Sequence, residues 1–246
     1  MNNIFTKKEF TLPLKKKNHI IFICDHASNN IFRKYQKSAP NKKILTSHIA
    51  YDIGAKDFTH EISSKLKQSF FMSNFSRLII DPNRSKNDID LIVSNSFDSK
   101  INMNKEIDKY EKNFRLNRIH ETYHQNLKKL IQKKKKRFKK VFLIAIHSFS
   151  KKGKNFDRGV EVGLLWNKDI KLLVKIQRRL WENNIHVGRN FPYSGFFYNY
   201  TLDRHSNENS IESISIEIRN DLICNKKGIK KYTELFIPIF KGILDE

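Results

Sequence analysis

Short, uninterrupted apolar runs alternate with helical repeats of apolar residues along the chain. The two clearest runs span residues 19–24 and 140–146, and both are too short for a helix and rich in branched side chains. We predict that they form strands buried on both faces of a sheet. Shorter β-favouring runs follow at residues 76–81, 158–166, 185–188 and 213–219, and helical spacing recurs at about residues 47–66, 107–130, 168–181 and 227–244. This alternation predicts a single α/β domain spanning residues 1–246.

Polar side chains stand at or near the carboxyl end of each main predicted strand. His26 follows the first apolar run, and His147 with Ser148 ends the run that begins at Val141. Asn83 and Arg84 follow the predicted strand at 76–81, where Pro82 forces the chain to turn. In open α/β sheets, functional side chains gather at the carboxyl ends of the strands. We therefore expect these residues to share one site, although a histidine there can also simply bond its own loop.

Glu217 and Arg219 lie near the end of the last predicted strand, where a glutamate is unfavourable unless it has a partner or a catalytic role. Two histidines and one carboxylate are the usual protein ligands of a catalytic zinc with an open position. A further glutamate is the general base that such a site needs, and an arginine on a rigid turn suits capture of a carboxylate. The residues alone thus indicate metal-dependent hydrolysis of a small acidic amide.

Two further histidine patterns have weaker support. His48 and Asp52 lie four residues apart in the helical repeat at 47–66, which would put them on one helix face. Residues 120–124 spell the His-Glu-x-x-His pattern of zinc peptidases, with Glu121 as the base. No third ligand follows that pattern, and so short a pattern arises readily by chance. We do not expect a zinc-peptidase site there.

The charge of the chain is strongly positive. It has 48 Lys and Arg against 25 Asp and Glu, a formal net charge of +23. Such a charge suits anionic partners, and the basic run at 133–140 is of the kind that can hold a phosphate backbone. The lysines are, however, spread through the whole chain, and no basic patch with interleaved aromatic residues stands out. We therefore do not expect nucleic acid to be the main partner.

Cellular location is predicted from three negative features of the sequence. No apolar run approaches the roughly 20 residues that cross a bilayer. The first ten residues lack the apolar segment of a signal peptide. The two cysteines, Cys24 and Cys224, lie far apart and require no disulfide. We expect a cytoplasmic protein with no membrane association, and the sequence does not predict its oligomeric state.

Eight segments in order resemble the N-formylglutamate amidohydrolase family, and most of all its branch of predicted N-formylglutamate amidohydrolases. They are Cys24-Asp-His-Ala-Ser-Asn29, His48-Ile-Ala-Tyr-Asp-Ile-Gly-Ala55, Ser76-Arg-Leu-Ile-Ile-Asp-Pro-Asn-Arg84, Ile146-His-Ser-Phe149, Val162-Gly-Leu-Leu-Trp166, Pro192-Tyr-Ser-Gly195, Tyr200-Thr-Leu-Asp-Arg-His205 and Ile216-Glu-Ile-Arg-Asn-Asp-Leu222. The resemblance implies a three-layer α/β/α fold with a mixed, mostly parallel twisted sheet, similar to zinc-dependent exopeptidases.

The resemblance also implies roles for individual residues. By this resemblance His26 and His147 correspond to ligands of a divalent metal ion, expected to be Zn²⁺, and Glu217 corresponds to the general base. The position of the exopeptidase carboxylate ligand holds Asn29, so the third ligand is open; we predict Asp52 first and His48 second. Arg77 or His124 would stabilise the oxyanion. Residues expected to bind the substrate are Asn83, Arg84, Ser148, Tyr193, Ser194 and Arg219.

The implied reaction is hydrolysis of N-formyl-L-glutamate to glutamate and formate, with a small substrate that carries a free carboxylate. Two alternatives stay open on the sequence alone. One is deacylation of another N-acyl amino acid or small acidic amide. The other is a basic nucleic-acid-binding protein that keeps the fold without catalysis.

Overall fold

The structure is a computed structural model that describes residues 3–10, 18–96, 99–153, 156–168 and 170–246. Its strands are β1 (Phe5–Lys8), β2 (Asn18–Cys24), β3 (Ser69–Ser73), β4 (Asn95–Ser96), β5 (Ser99–Lys100), β6 (Lys140–Phe149), β7 (Val162–Leu165), β8 (Val187–Arg189) and β9 (Glu212–Arg219). Its helices are α1 (Lys42–Leu45), α2 (Ala55–Leu66), α3 (Lys109–Arg115), α4 (Glu121–Lys135), α5 (Lys171–Glu182), α6 (Gly195–Tyr198), α7 (Tyr200–Asn209), α8 (Asn220–Ile223) and α9 (Lys226–Leu244).

Seven of these strands form one sheet, in the order β1-β3-β2-β6-β9-β7-β8. Strands β3, β2, β6 and β9 run parallel to one another. Strand β1 pairs antiparallel with β3, and β7 pairs antiparallel with β9 and parallel with β8. The prediction of a mixed, mostly parallel sheet is therefore confirmed. Since β2, β6 and β9 are parallel neighbours, their carboxyl ends meet at one edge.

Helices cover both faces of the sheet, because both faces of its central strands are apolar. Along β6, Phe142, Ile144 and Ile146 pack into one core, which also contains buried residues of α2, α5 and α9. Leu143 and Ala145 point to the other side, where the core contains residues of α4 and α7. The three-layer α/β/α architecture is thus confirmed. None of the described helices combines the length and the hydropathy needed to cross a bilayer.

Two local predictions were wrong. The predicted strand at 76–81 is a turn, and the sheet strand before it is β3, at Ser69–Ser73. Leu78, Ile79 and Ile80 are apolar because the turn is buried against α4, not because it is extended. The predicted helix at 47–66 begins only at Ala55, and residues 47–54 form turns.

Gly54 explains why α2 begins where it does. Its φ of +81° lies in the left-handed region, which a residue with a Cβ rarely adopts. A Cβ at this position would also lie 2.2 Å from the carbonyl oxygen of Ile223. The glycine therefore lets the chain turn sharply between Asp52 and α2 while α8 packs directly against the turn.

Replacing Gly54 with alanine should lower the free energy of unfolding by at least about 2 kcal/mol, because the turn would be strained and α8 displaced. The measurement is equilibrium urea unfolding. Gly242→Ala is the matched control, since Gly242 lies in α9 and a Cβ there meets nothing within 4 Å. It should be neutral or stabilising by up to about 1 kcal/mol. Equal stability of the two variants would contradict this account of Gly54.

Candidate active site

A pocket of about 300 Å³ opens at the carboxyl ends of β2, β6 and β9. His26 follows β2 by two residues, and His147 and Glu217 lie near the ends of β6 and β9. His147 and Glu217 are register partners, which places them side by side at this edge. The predicted gathering of these three residues at one sheet edge is what the structure shows. The lining residues include His26, His48, Asp52, Arg77, Asp81, Asn83, Arg84, His147, Ser148, Tyr193, Tyr198 and Glu217.

His26, Asp52 and His147 form the centre of the pocket. Each offers one ligand atom within 4.8 Å of the others, and in the described part of the chain they are the one such group of His, Cys, Asp or Glu. Asp52 Oδ2 lies 2.8 Å from His147 Nδ1 and 3.4 Å from His26 Nδ1. The structure thus brings together the two predicted histidines and the first choice for the third ligand.

Backbone contacts hold Asp52 in this position even though it lies in a turn and not on a helix. Its N–H donates to the carbonyl oxygen of His26 at 2.9 Å. The backbone N–H of Ser148 donates to Asp52 Oδ2 at 3.3 Å, and the Ser148 hydroxyl donates to the carbonyl oxygen of Ile53. The loop after β2, the end of β6 and the turn before α2 are therefore fastened to one another around this carboxylate.

Two buried carboxylates face the outer nitrogens of the histidines. Asp81 Oδ1 lies 2.8 Å from His26 Nε2, and Asp25 Oδ2 lies 3.8 Å from His147 Nε2. The hydroxyl of Tyr123 donates to Asp25 Oδ1 at 2.7 Å. A carboxylate behind a ligating histidine orients the ring and makes it a stronger donor. Both histidines are therefore arranged to present Nδ1 to the centre of the pocket.

The charges of this cluster shift the pKa values in opposite directions. Burial opposes ionisation of Asp52, but the charges of Arg77 and His26 outweigh it and hold the pKa of Asp52 well below its usual range. For His147, burial is likewise outweighed, because the contact with Asp52 and the charges of Glu217 and Asp25 raise its pKa to about 9. Burial and the charge of Arg77 lower the pKa of His48 to about 4. Asp52 is therefore a charged carboxylate, whereas His48 is neutral.

Glu217 differs from the other site carboxylates. Burial, with a further contribution from the charge of Asp52, raises its pKa to about 7, against the opposing effect of His147. Its Oε2 atom is buried and makes no hydrogen bond to a described residue. Gly163 on β7 is the register partner of Glu217 on β9. Because Gly163 has no side chain, residues 191–192 can pack directly against β7 at this point. Glu217 is thus a buried acid that exchanges a proton near neutral pH.

Arginines occupy the other walls. Arg77 Nη2 donates to Asp52 Oδ1 at 2.7 Å and to the carbonyl oxygen of His48, and its Nη1 lies 3.2 Å from His26 Nδ1. Arg84 stacks on the ring of Tyr198, with 4.9 Å between the guanidinium carbon and the ring centroid. Asn83 lines the pocket, but its amide is bonded to the backbone of Tyr198 and Thr201. Asn83 therefore shapes this wall more than it offers free donors.

Three predicted site residues do not line the pocket. His124 is fully buried in α4; its Nε2 donates to the carbonyl oxygen of Pro82, and its Nδ1 lies 3.0 Å from His205 Nε2. Ser194 caps α6, and Arg219 pairs with Asp221 at 2.8 Å. His124 supports the turn that carries Asp81 and Arg84 from behind, so its ring has no free nitrogen for an oxyanion.

The side chains of the His-Glu-x-x-His segment contact neighbouring parts of the fold. His120 Nε2 donates to the carbonyl oxygen of Arg84, and Glu121 pairs with Arg204 at 2.9 Å. Sequence reasoning missed Asp25 and Asp81 as partners of the histidines. The signal for both was their place directly beside residues already selected, Asp25 before His26 and Asp81 before Pro82.

The donor chemistry of the cluster fits a divalent cation. Two imidazole nitrogens and one carboxylate oxygen converge, and each imidazole has a carboxylate behind it. Buried groups that hold protons between them in this way can exchange those protons for a metal ion. His26, Asp52 and His147 are therefore the residues that can hold a metal.

Residues 18–224 match the family model for N-formylglutamate amidohydrolase. The fold is similar to that of a gene product of Agrobacterium tumefaciens, with a TM-score of 0.88 and 26% identity over 98% of this chain and 96% of that one. It is also similar to N-formylglutamate amidohydrolase from Ralstonia eutropha, with a TM-score of 0.76 and 19% identity over 98% and 97% of the two chains. No curated protein sequence shows significant similarity to the chain.

Replacing Asp81 with asparagine should weaken the binding of a divalent cation roughly 10- to 100-fold, because His26 would lose the carboxylate that orients it. The measurement is a zinc titration in competition with a chelator of known affinity. Asp90→Asn is the matched control, since Asp90 is an exposed acid at the rim of the same pocket. Unchanged zinc affinity in Asp81→Asn would contradict the role of Asp81.

Proposed function

The chain belongs to the N-formylglutamate amidohydrolase family, and from this premise we propose that it hydrolyses N-formyl-L-glutamate to glutamate and formate with the help of a divalent metal ion. The observation that carries the proposal is the convergence of His26, Asp52 and His147 beside Glu217 in one pocket. Membership of the family makes the protein an amidohydrolase; the metal and the particular substrate are our proposals.

We propose that His26, His147 and Asp52 hold the ion, and that the ion is zinc. Two imidazoles and one carboxylate, with a position left for substrate or water, are a common donor set of catalytic zinc. When bound, a divalent cation supplies a Lewis acid for the amide carbonyl and lowers the pKa of water towards about 7. A hydrogen bond to Asp81 keeps the imidazole of His26 oriented for this task, and Asp25 lies 3.8 Å from the outer nitrogen of His147.

Glu217 acts as the general base. Its carboxylate takes a proton from the attacking water and delivers that proton to the leaving nitrogen. The glutamate product therefore departs with a neutral amino group instead of an amide anion. The raised pKa of about 7 suits both halves of this transfer, because the group gives and takes a proton readily near neutral pH. Its unpartnered Oε2 leaves one acceptor free for the water.

Arg77 stabilises the oxygen of the amide carbonyl as it becomes negative. Its guanidinium already lies against Asp52 and His26, and its Nε is buried without an acceptor. Arg84 binds a carboxylate of the substrate, since its planar donors suit a bidentate pair. Stacking on Tyr198 and a hydrogen bond from Nη1 to the carbonyl oxygen of Asn83 keep Arg84 in place.

The first test pairs metal analysis of the purified protein with an assay of formate release from N-formyl-L-glutamate. We expect about one metal ion per chain, and activity that a chelator removes and added zinc restores. Release of a different acid from another N-acyl amino acid, without formate release, would keep the reaction class and reject the formyl substrate. No hydrolysis of any N-acyl amino acid after zinc addition would refute the proposal.

Replacing Glu217 with glutamine should lower kcat by about 10²- to 10⁴-fold, because the variant keeps the shape of the side chain but cannot carry the proton. Zinc affinity and KM should change little, which separates this effect from loss of the site. Glu182→Gln, on the exposed end of α5, controls for the change in charge. A kcat within a few-fold of the wild-type value would remove Glu217 from the role of base.

A further inference from the structure

Arg158 is a buried arginine without a carboxylate partner. It is 8% exposed, and its Nε atom is buried without a hydrogen-bond partner among the described residues. No described Asp or Glu oxygen lies within 4.0 Å of its guanidinium nitrogens. Arg115 shows the contrast: it is also buried, but it pairs with Glu111 at 2.8 Å and donates to three further oxygens. The charge of Arg158 is therefore not balanced within the described chain.

Burying an arginine in this way is costly, because a buried cation normally needs an anion or a full set of acceptors. One edge of the guanidinium is used: Nη1 donates to the carbonyl oxygen of Ser150 at 3.1 Å. The edge that carries Nε faces no acceptor. This is the edge with which arginine can bind a carboxylate through two parallel hydrogen bonds.

Arg158 is placed next to the pocket of the site. Its guanidinium carbon lies 4.9 Å from the ring centroid of Tyr193, which lines that pocket. Burial raises the pKa of Tyr193, with the charge of Glu217 adding to the effect and that of Arg158 opposing it. Tyr193 therefore stands within the electrostatic reach of both the general base and Arg158.

The two tyrosines of the pocket connect Arg158 with Arg84. The rings of Tyr193 and Tyr198 lie edge to face at 5.7 Å, and Arg84 stacks on Tyr198 as Arg158 does on Tyr193. The wall thus has an arginine at each end and two aromatic rings between them. The aromatic faces hold both guanidinium groups in place. The two arginines differ in their partners, because Arg158 Nε has no described acceptor, whereas Arg84 Nε lies 3.9 Å from Asp88 Oδ2.

We propose that Arg158 binds the second carboxylate of the substrate while Arg84 binds the first, so that the pocket selects dicarboxylic N-acyl amino acids. This inference rests on the proposed function and deepens it, because it assigns the residue that reads an acidic side chain. It replaces Arg219, whose guanidinium is already paired with Asp221.

The test compares N-formyl-L-glutamate with N-formyl-L-glutamine, which differs only in lacking the second charge. Wild-type protein should prefer the glutamate substrate. Arg158→Gln should lower kcat/KM for that substrate about 10- to 100-fold, mainly through KM, and leave the glutamine substrate nearly unchanged. Arg178→Gln, on the exposed face of α5, removes the same charge and should preserve the preference. An equal loss on both substrates would show a structural role and overturn the proposal.

Binding of glutarate and of its monoamide, measured by calorimetry, separates this inference from the proposed reaction. A preference for glutarate that disappears in Arg158→Gln supports the subsite even if no formyl substrate is cleaved. Equal binding of the two ligands by the wild-type protein overturns it, whatever the outcome of the formate assay. Should Arg158→Gln fail to fold, Arg158→Lys keeps the charge but loses the paired donors. It should retain only part of the preference, and full retention would also count against the proposal.

Discussion

The buried carboxylate of Asp52 is the interaction on which the rest of the site depends. It is 2% exposed, yet it is held ionised by Arg77, His26 and His147. A buried negative charge is tolerated only when cations and donors surround it, so these residues cannot be placed independently. Removing any one of them would leave the others with an unbalanced charge. The site is therefore one electrostatic unit assembled from separate parts of the chain.

Sheet topology brings these parts together. Because β2, β6 and β9 are parallel neighbours, the chain delivers His26, His147 and Glu217 to the same edge. The turn before α2 adds Asp52 from one side, and the turn after Ile80 adds Asp81 from the other. The second turn is supported by His120, directly before α4, and by His124 in α4. It is also supported by Thr201 in α7, whose hydroxyl donates to the carbonyl oxygen of Pro82. Histidines that look catalytic in the sequence thus serve as buried supports.

The sequence predicts two kinds of feature well: the buried strands, from their apolar runs, and the site residues that stand at the ends of those strands. The buried strands around residues 19–24 and 140–146, and the gathering of His26, His147 and Glu217, follow from apolar runs that end in polar residues. The turn at 76–81 could not be predicted in this way, because a buried turn and a buried strand require the same apolar residues. Nor can a sequence show which arginine has a partner: Arg219 and Arg158 look alike until the contacts with Asp221 and Tyr193 are known.

The four buried carboxylates of the site divide into two kinds, and the division follows from their neighbours. Asp52 and Asp81 each contact a histidine and lie near Arg77, and the pKa of each is lowered despite burial. Asp25 and Glu217 have no arginine contact, and burial raises the pKa of each. Asp25 nevertheless accepts a hydrogen bond from Tyr123, whereas Glu217 keeps one oxygen free and lines the pocket. Of the four, only Glu217 combines a raised pKa with a place in the pocket lining, and this combination is what the proposed role of general base requires.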